Sequence, residues 1–157
     1  MSTRFIRRGV SKFLFAPTIA NPASVTRAEI TSAEDLSDEI ADVSGWQLEN
    51  QAVEVPDLGS TFEKNIPGTD SAADSSLTFY EDKVGDDIDA LLPKGTEGFV
   101  LIMRKGDIPA SESMDVFAVR VGSKGSEYSI GNDPARMVVS FTITEEPELD
   151  TTIPAAV

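Results

Sequence analysis

Alternation is the strongest pattern in this chain. Between residues 137 and 144, Met137, Val139, Phe141 and Ile143 share one parity, and Ser140, Thr142 and Thr144 share the other. That period of two marks a strand with one buried face and one wet face. Residues 75–82 repeat it, with Leu77 and Phe79 opposed to Thr78 and Tyr80. Residues 114–121 group Phe117, Val119 and Val121. The stretch 98–104, GFVLIMR, is apolar at both parities, which predicts a central strand covered on both sides. An early strand is expected over 11–16, where Phe13 and Phe15 alternate with Lys12 and Leu14. Across 46–56 the apolar parity moves from Trp46 and Leu48 to Val53 and Val55, so a bulge is expected near Asn50. Residues 61–66 are expected to add a strand or a hairpin arm.

Helical spacing is scarcer. Asp86 reads as an N-cap, Asp87 and Asp89 favour the positive end of a helix dipole, and Ile88, Leu91 and Leu92 form an apolar stripe ended by Pro93 and Gly95. This predicts a helix over about 86–92. A second is expected over 32–43, with Ser32 and Asp35 at capping-box spacing and Leu36, Ile40 and Val43 at helical intervals. The expected fold class is therefore mainly β, a β-sandwich or barrel with a flanking α-helix. Residues 1–10 read as an N-terminal arm, 11–145 as the domain and 146–157 as a mobile C-terminal arm. The segment 57–74, rich in Gly, Pro, Asp, Ser and Thr, reads as a long loop of the kind that is usually functional or disordered.

Composition narrows the chemistry. The 157 residues contain no His and no Cys, which removes disulfides, thiolate zinc sites, iron–sulfur clusters, the usual serine triad and imidazole metal ligands. The 27 acidic residues outnumber the 13 basic ones, for a net charge of −14, the opposite of what a nucleic-acid reader needs to neutralise phosphates. The basic residues are uneven. Arg4, Arg7, Arg8 and Lys12 fall in the first twelve positions, leaving 9 basic against 27 acidic residues beyond them. The apolar run after the basic start is four residues long and broken by Pro17, too short for a secretory segment. No apolar run approaches the roughly 20 residues of a membrane span, so a soluble, membrane-free chain made in the cytoplasm is expected.

Candidate chemistry is thin. The Asp86, Asp87 and Asp89 cluster lacks the spaced ligands and closing Glu of a calcium loop. Pairs such as Asp38 with Glu39 or Glu81 with Asp82 are unavoidable among 27 carboxylates and read as solvated faces rather than as a glycosidase pair. Gly106-Asp107 and the glycines at 122 and 125 read as turns between strands. Of Trp46, Phe79 and Tyr80, strand placement puts the first two in the core and leaves Tyr80 as the only exposed aromatic of weight. No catalytic residue, cofactor site or metal site is expected.

A resemblance supplies more. The strings RRGVSKFLFAPTIANP, TRAEITSAEDLSDEIADVSGW, VEVPDLGSTFEKNIPG, DSSLTFYEDKVGDDIDALLPKGTEGFVLIMRKGD, MDVFAVRVGS and VSFTITEEP, taken in order from about Arg7 to Pro147, resemble the major tail tube proteins of long-tailed, non-contractile bacteriophages of actinobacterial hosts. The likeness rests on order and spacing rather than on one diagnostic motif. It implies a non-enzymatic virion protein that assembles as a homo-oligomer of stacked hexameric rings. Viral DNA would pass through the lumen without specific binding, and the tape-measure protein would occupy that lumen beforehand. Tail terminator and distal tail or baseplate proteins would be further partners, with assembly in the host cytoplasm and residence in the virion tail. On this resemblance Arg4, Arg7, Arg8, Lys12, Asp57, Phe62 and Lys64 are the candidates for contacts between rings or subunits, and Thr78, Tyr80, Asp82, Ser140 and Thr142 for the lumen wall. An acidic bore would avoid cationic clusters that hold DNA by counterion release. The competing expectation is a virion-associated β-sandwich that binds carbohydrate or cell wall through an exposed aromatic such as Tyr80.

Overall fold

Alternating strands with one apolar face must bury that face, and in the computed structural model they do so by curling around it. The structure describes residues 3–84 and 87–155. Its main sheet takes β1 (Lys12–Ala16), β2 (Glu34–Asp35), β3 (Ile40–Ser44), β8 (Ser75–Tyr80), β9 (Glu97–Met103), β10 (Met114–Glu127), β11 (Arg136–Ile143) and β12 (Glu148–Thr151). The order is β2-β1-β9-β10-β11-β8-β3, with β12 on β10 and every pairing antiparallel. Its two outermost strands, β2 and β3, belong to one segment, 34–44, separated only by the turn 36–39. The two ends of the sheet are thus tied together, and the sheet wraps into a barrel-like form.

The two faces of this sheet differ. The inner face carries Phe15, Val100, Phe117, Val119, Val121, Phe141, Val139, Met137, Leu77 and Phe79, packed with Leu36, Trp46, and Ile88 and Leu92 of α2 (Asp87–Leu91) and its C-terminal end. The outer face divides lengthwise. Over β1, β9 and the first half of β10, Leu14, Ala16, Leu101, Met103, Met114 and Val116 are buried beneath Ile19, Val25, Ile30 and Ile153. Over β11, β8 and the rest of β10 no such cover exists among the described residues, and the outward positions are polar or half-buried. The apolar-at-both-parities strand 98–104 lies, as β9, between β1 and β10.

The second expected helix does not form. A helix does occur just upstream as α1 (Arg27–Ser32), where Thr26 and Glu29 build the capping box: the Glu29 N–H donates to Thr26 Oγ1 at 3.3 Å and the Thr26 N–H to Glu29 Oε1 at 3.0 Å. The Thr26 N–H bond, with one from the Ala20 N–H and one from the Thr26 hydroxyl, holds the Glu29 carboxyl below its usual range. Ala33 is already extended, and the Ser37 N–H closes a turn on Asp35 Oδ1. The i, i+4 spacing of Leu36 and Ile40 arises from a turn and a strand that both face the core. The helix near residue 88 is present, while the Asp86 cap and the side chains of Asp87 and Asp89 lie outside the described residues.

The tail also differs from expectation. Instead of a mobile arm, β12 pairs with β10 at Met114↔Thr151 and Val116↔Glu148, Thr151 Oγ1 donates to Met114 O, and Ile153 is fully buried. Arg27 fastens the end: its Nη2 donates to Pro154 O and its Nη1 pairs with Asp107 at 2.7 Å. Likewise, the glycines at 122 and 125 lie inside β10 rather than in a turn, and the register shift between Val121 and Ser123 makes Gly122 a bulge. Gly106 does occupy the β9–β10 turn, with a positive φ of 85°.

One corner joins these parts. Gly45 has φ +85°, and a Cβ there would lie 2.2 Å from Asp74 O; Trp46 follows with φ +66°, a costly backbone state for a bulky residue. Its indole meets Phe117 at 5.3 Å, Phe141 at 5.5 Å and Phe13 at 6.3 Å, its backbone N–H donates to Ser75 Oγ and its Nε1 to Ser76 O.

Trp46→Ala is expected to cost about 3–5 kcal/mol and to lower the thermal midpoint by about 10 °C, measured by circular dichroism. A loss under about 1 kcal/mol would contradict the assigned packing. The Arg27 hydrogen bond, ahead of its charge, holds the Asp107 carboxyl below the usual range. This contribution is complete above the unfolded value near 4 and disappears as pH falls through the lower folded value. Asp107→Asn should therefore lower the melting temperature at pH 7, with the gap to wild type closing as pH falls below about 4.

Candidate assembly surfaces

Three surfaces collect the residues that the sequence singled out. The first is the wet half of the outer sheet face. Register places Ser44 beside Ser76, Asp42 beside Thr78, Thr78 beside Val138, Ser76 beside Ser140 and Tyr80 beside Arg136, while β10 contributes Ser123 opposite Ser140 and Arg120 opposite Thr142. Four of the five lumen candidates, Thr78, Tyr80, Ser140 and Thr142, therefore share one face. Asp82 does not: it lies beyond the end of β8, where its Oδ1 accepts the Val84 N–H. Tyr80 lies under the Arg136 guanidinium, 5.8 Å from ring to charge. It is not the most exposed aromatic, since Tyr128, at the β10–β11 turn, is 93% exposed and Phe62 74%, against 38% for Tyr80.

The charge on this face is nearly balanced. Asp42, Glu97 and Glu127 accompany Arg120 and Arg136, with Arg120 and Glu97 3.8 Å apart. The rest is mainly hydroxyl, glycine and one valine. Alternation exposed Thr78 and Thr142, but Ser123 and Glu127 were hidden because the bulge at Gly122 reverses the parity of β10. This four-stranded face also has open edges. β3 pairs with β8 alone, and residues 125–127 of β10 pair with β11 alone, among the described strands.

The second surface is a hairpin. The expected long loop is the return half of it: β4 (Leu48–Asn50) pairs with β7 (Asp70–Ala72), and β5 (Val53–Glu54) with β6 (Asn65–Ile66). The parity switch near Asn50 is a break between β4 and β5. There Asn50 Nδ2 donates to Gly68 O at 3.0 Å and the Gly68 N–H returns to Asn50 Oδ1 at 3.1 Å. A Cβ on Gly68 would approach Gln51 O to 2.1 Å, so the crossing admits only glycine. Residues 51–67 are exposed throughout. Val53 and Ile66 face each other across the ladder, Val55, Leu58 and Phe62 are uncovered, and Lys64 bridges Asp57 at 3.0 Å. An apolar set without cover on a projecting element marks a contact surface.

The third surface is the N-terminal segment and the groove beside it. Arg4, Arg8 and Lys12 are exposed, and Arg7 is tied down by Nη1 donating to Arg104 O at 3.2 Å. An open groove of about 760 Å³ runs along the seam between β1 and β3, bounded by residues 7–13 on one side and 35–43 on the other, with Trp46 and Ile102 among its lining. At its end the half-buried Asp115 accepts the Asp150 N–H at 3.1 Å and lies 3.6 Å from Arg104, burial pushing its carboxyl up.

Of the acidic pairs, Asp38, Glu39 and Asp82 are exposed, and Glu81 accepts from Ser126 Oγ. No cluster of three metal-ligating side chains and no helix long and apolar enough to cross a membrane occurs among the described residues.

Comparison with solved structures finds the same fold in tail-like assemblies at low sequence identity. The sheath/tube terminator of an extracellular contractile injection system matches with a TM-score of 0.63 at 11% identity, over 94% of this chain and 97% of that one. A chain of the anti-feeding prophage baseplate, a six-fold symmetrised structure, matches at 0.60 and 12%, over 92% and 95%. A chain from the tail of an empty gene transfer agent particle, refined with C6 symmetry, matches at 0.54 and 12%, over 89% and 93%. No curated protein sequence matches. The model of one family, described as phage tail tube protein, matches residues 1–156. The chain belongs to the phage tail tube protein family.

Proposed function

We propose that this chain is a structural, non-enzymatic subunit that closes into six-membered rings, which stack into the tail tube of a long-tailed, non-contractile phage. The carrying observation is the wet four-stranded face of β10, β11, β8 and β3 with an open edge on each side. Unpaired edge groups seek a partner strand, and pairing β3 of one copy with the second half of β10 in the next extends the same face around a ring. Closure removes both edges and makes the hydroxyl-rich face a continuous inner wall. The six-fold symmetry of the baseplate and gene transfer agent structures that share the fold supports six copies.

The hairpin, with Asp57, Phe62 and Lys64, and the N-terminal segment, with Arg4, Arg7, Arg8 and Lys12, are the proposed contacts between rings and neighbours. Tail terminator, distal tail or baseplate proteins and a tape-measure protein in the lumen are the corresponding partners in the virion tail, assembled in the host cytoplasm. Thr78, Tyr80, Ser140 and Thr142 are the proposed bore residues. The balance of Asp42, Glu97 and Glu127 with Arg120 and Arg136 makes this wall weakly charged rather than strongly acidic. DNA slides past because the wall offers dispersed hydroxyls and compensated charges instead of a cationic cluster that would release counterions. Most of the net charge of −14 then lies on other surfaces, where it favours solubility.

Negative-stain microscopy of the concentrated protein is expected to show rings or tubes of uniform bore. A strictly monomeric chain at all concentrations and salts, also with tail-initiation proteins added, would contradict the reading. Thr78→Lys with Ser140→Lys is expected to leave tubes intact but to make them retain duplex DNA in a salt-dependent way and to cut DNA delivery at least tenfold. Undiminished delivery by such tubes would remove the account of the bore while leaving the structural role.

A further inference from the structure

The C-terminal strand is fastened at two points of opposite chemistry. At its tip, Arg27 donates from Nη2 to Pro154 O and from Nε to Ala155 O, while Nη1 pairs with Asp107. At its root, Asp115 Oδ1 accepts the Asp150 N–H at 3.1 Å. Arg104 is shared between the two acids there, with Nη2 on Asp150 and Nε 3.6 Å from Asp115. We propose that this root is a proton-operated catch: β12 is held while Asp115 is neutral, and it opens as a unit, separately from the rest of the sheet, while Asp115 is ionised. The catch belongs to the single chain and stands or falls without the tube reading.

The ladder around the root is weak. β12 meets β10 at Met114↔Thr151 and Val116↔Glu148, with a register shift between them. Asp150 takes φ +55°, a left-handed state that only glycine and short polar side chains adopt routinely. Beyond it, Thr151 Oγ1 donates to Met114 O, the Ile153 N–H to Ser111 O and the Ala110 N–H to Ile153 O. A short edge strand with few bonds and Ile153 as its apolar anchor is the kind of element that opens locally. Opening uncovers part of the apolar strip that includes Met103 and Met114 and frees the 114–116 edge of β10.

Charge explains why a proton decides the matter. Asp115 and Asp150 compete for the Arg104 guanidinium, and Arg7 is the further cation that acts on Asp115. Farther along the groove, Arg8 and Lys12 on one bank stand against Asp35, Asp38 and Asp42 on the other. Burial of Asp115 outweighs the Asp150 N–H and Arg104, and pushes its carboxyl above the usual range. The docked strand therefore binds the proton more tightly than the opened one, in which Asp115 meets water and returns to a value near 4. Docking strengthens as pH falls from neutral toward about 4, and below that this group adds nothing more. The tip responds the other way. Asp107 is held low by the Arg27 hydrogen bond, so its contribution persists through that range and disappears only in stronger acid. The strand is thus gripped at both ends in mild acid and mainly by its tip at neutral pH.

Amide hydrogen exchange on the free chain, expressed at each pH as protection relative to the unfolded rate, tests the catch. The probes are the Asp150 and Ile153 N–H groups, which donate to Asp115 and to Ser111 O. At pH 7.5 both are expected to be at least about tenfold less protected than the amides of Val139 and Phe141 in β11. Lowering the pH from 7.5 to 5 is expected to raise their protection at least about threefold. Asp115→Asn is expected to show the raised protection already at pH 7.5 and to hold it unchanged to pH 5. Glu148→Gln, which removes an exposed acid from the same strand, is expected to keep the wild-type response. Tail amides as protected as those of β11 at pH 7.5, or a wild type without the pH response, would overturn the proposal. So would an Asp115→Asn tail less protected than wild type at pH 7.5, and so would loss of the response in Glu148→Gln, which would assign it to net charge.

Discussion

The structure turns on the corner at Gly45 and Trp46. Two successive residues there take positive φ, and the first has to be glycine because its Cβ site is occupied by the 74–75 backbone. The second is a tryptophan whose ring lies against Phe13 from β1, Phe117 from β10 and Phe141 from β11. Backbone strain of about 1–3 kcal/mol at such a site is offset by burying one of the largest apolar side chains. The corner ends β3, joins it to the opposite end of the sheet through the core, and sends the chain out into the hairpin. Closing the sheet and launching the hairpin are thus one local event.

The second governing constraint is that one sheet carries two characters on its outer face. Where β1, β9 and early β10 are apolar, the chain must supply a cover, and α1, the 19–25 segment and the docked C-terminal strand supply it. Where late β10, β11, β8 and β3 are polar, covering them would bury hydroxyls and charges without partners, which costs more than it returns. That region stays wet, with edges that only another chain can complete. The surfaces proposed for assembly are those the fold cannot satisfy by itself: strand edges, an apolar hairpin tip and the exposed basic N-terminal segment.

Much of this was legible in the sequence. Period-two alternation located β8 and β11 because each has one dry and one wet face, and the doubly apolar run located β9 because it has two dry ones. The parity change around Asn50 falls at a break between β4 and β5, not at the expected bulge. The segment 32–43 misled because an i, i+4 pair is also what a turn followed by a strand produces when both face the same core, and because the true capping box, Thr26 with Glu29, lay upstream. The tail misled because its anchoring depends on Arg27, Asp107 and a β10 edge distant in sequence. The outgoing arm was expected as a strand and 61–66 as a strand or hairpin arm, but the return half, 57–74, was read as a long loop because its outer rung is two residues long and uncovered on both faces. Family membership was legible only through the ordered strings. The site residues were legible in part: Thr78, Tyr80, Ser140 and Thr142 share a face, whereas Asp42, Ser123 and Arg136 join it through register that no single strand reveals.

The central claim is that two open strand edges of each copy pair with one another to build a continuous wall. Amide hydrogen exchange on the free chain and on assembled rings tests it most directly, with the outward-pointing amides of 42–44 in β3 and of 125–127 in β10 as the readout. The account predicts fast exchange at both edges in the free chain and at least a hundredfold slowing at both in the assembly. Assemblies in which these two edges exchange as fast as in the free chain would contradict it.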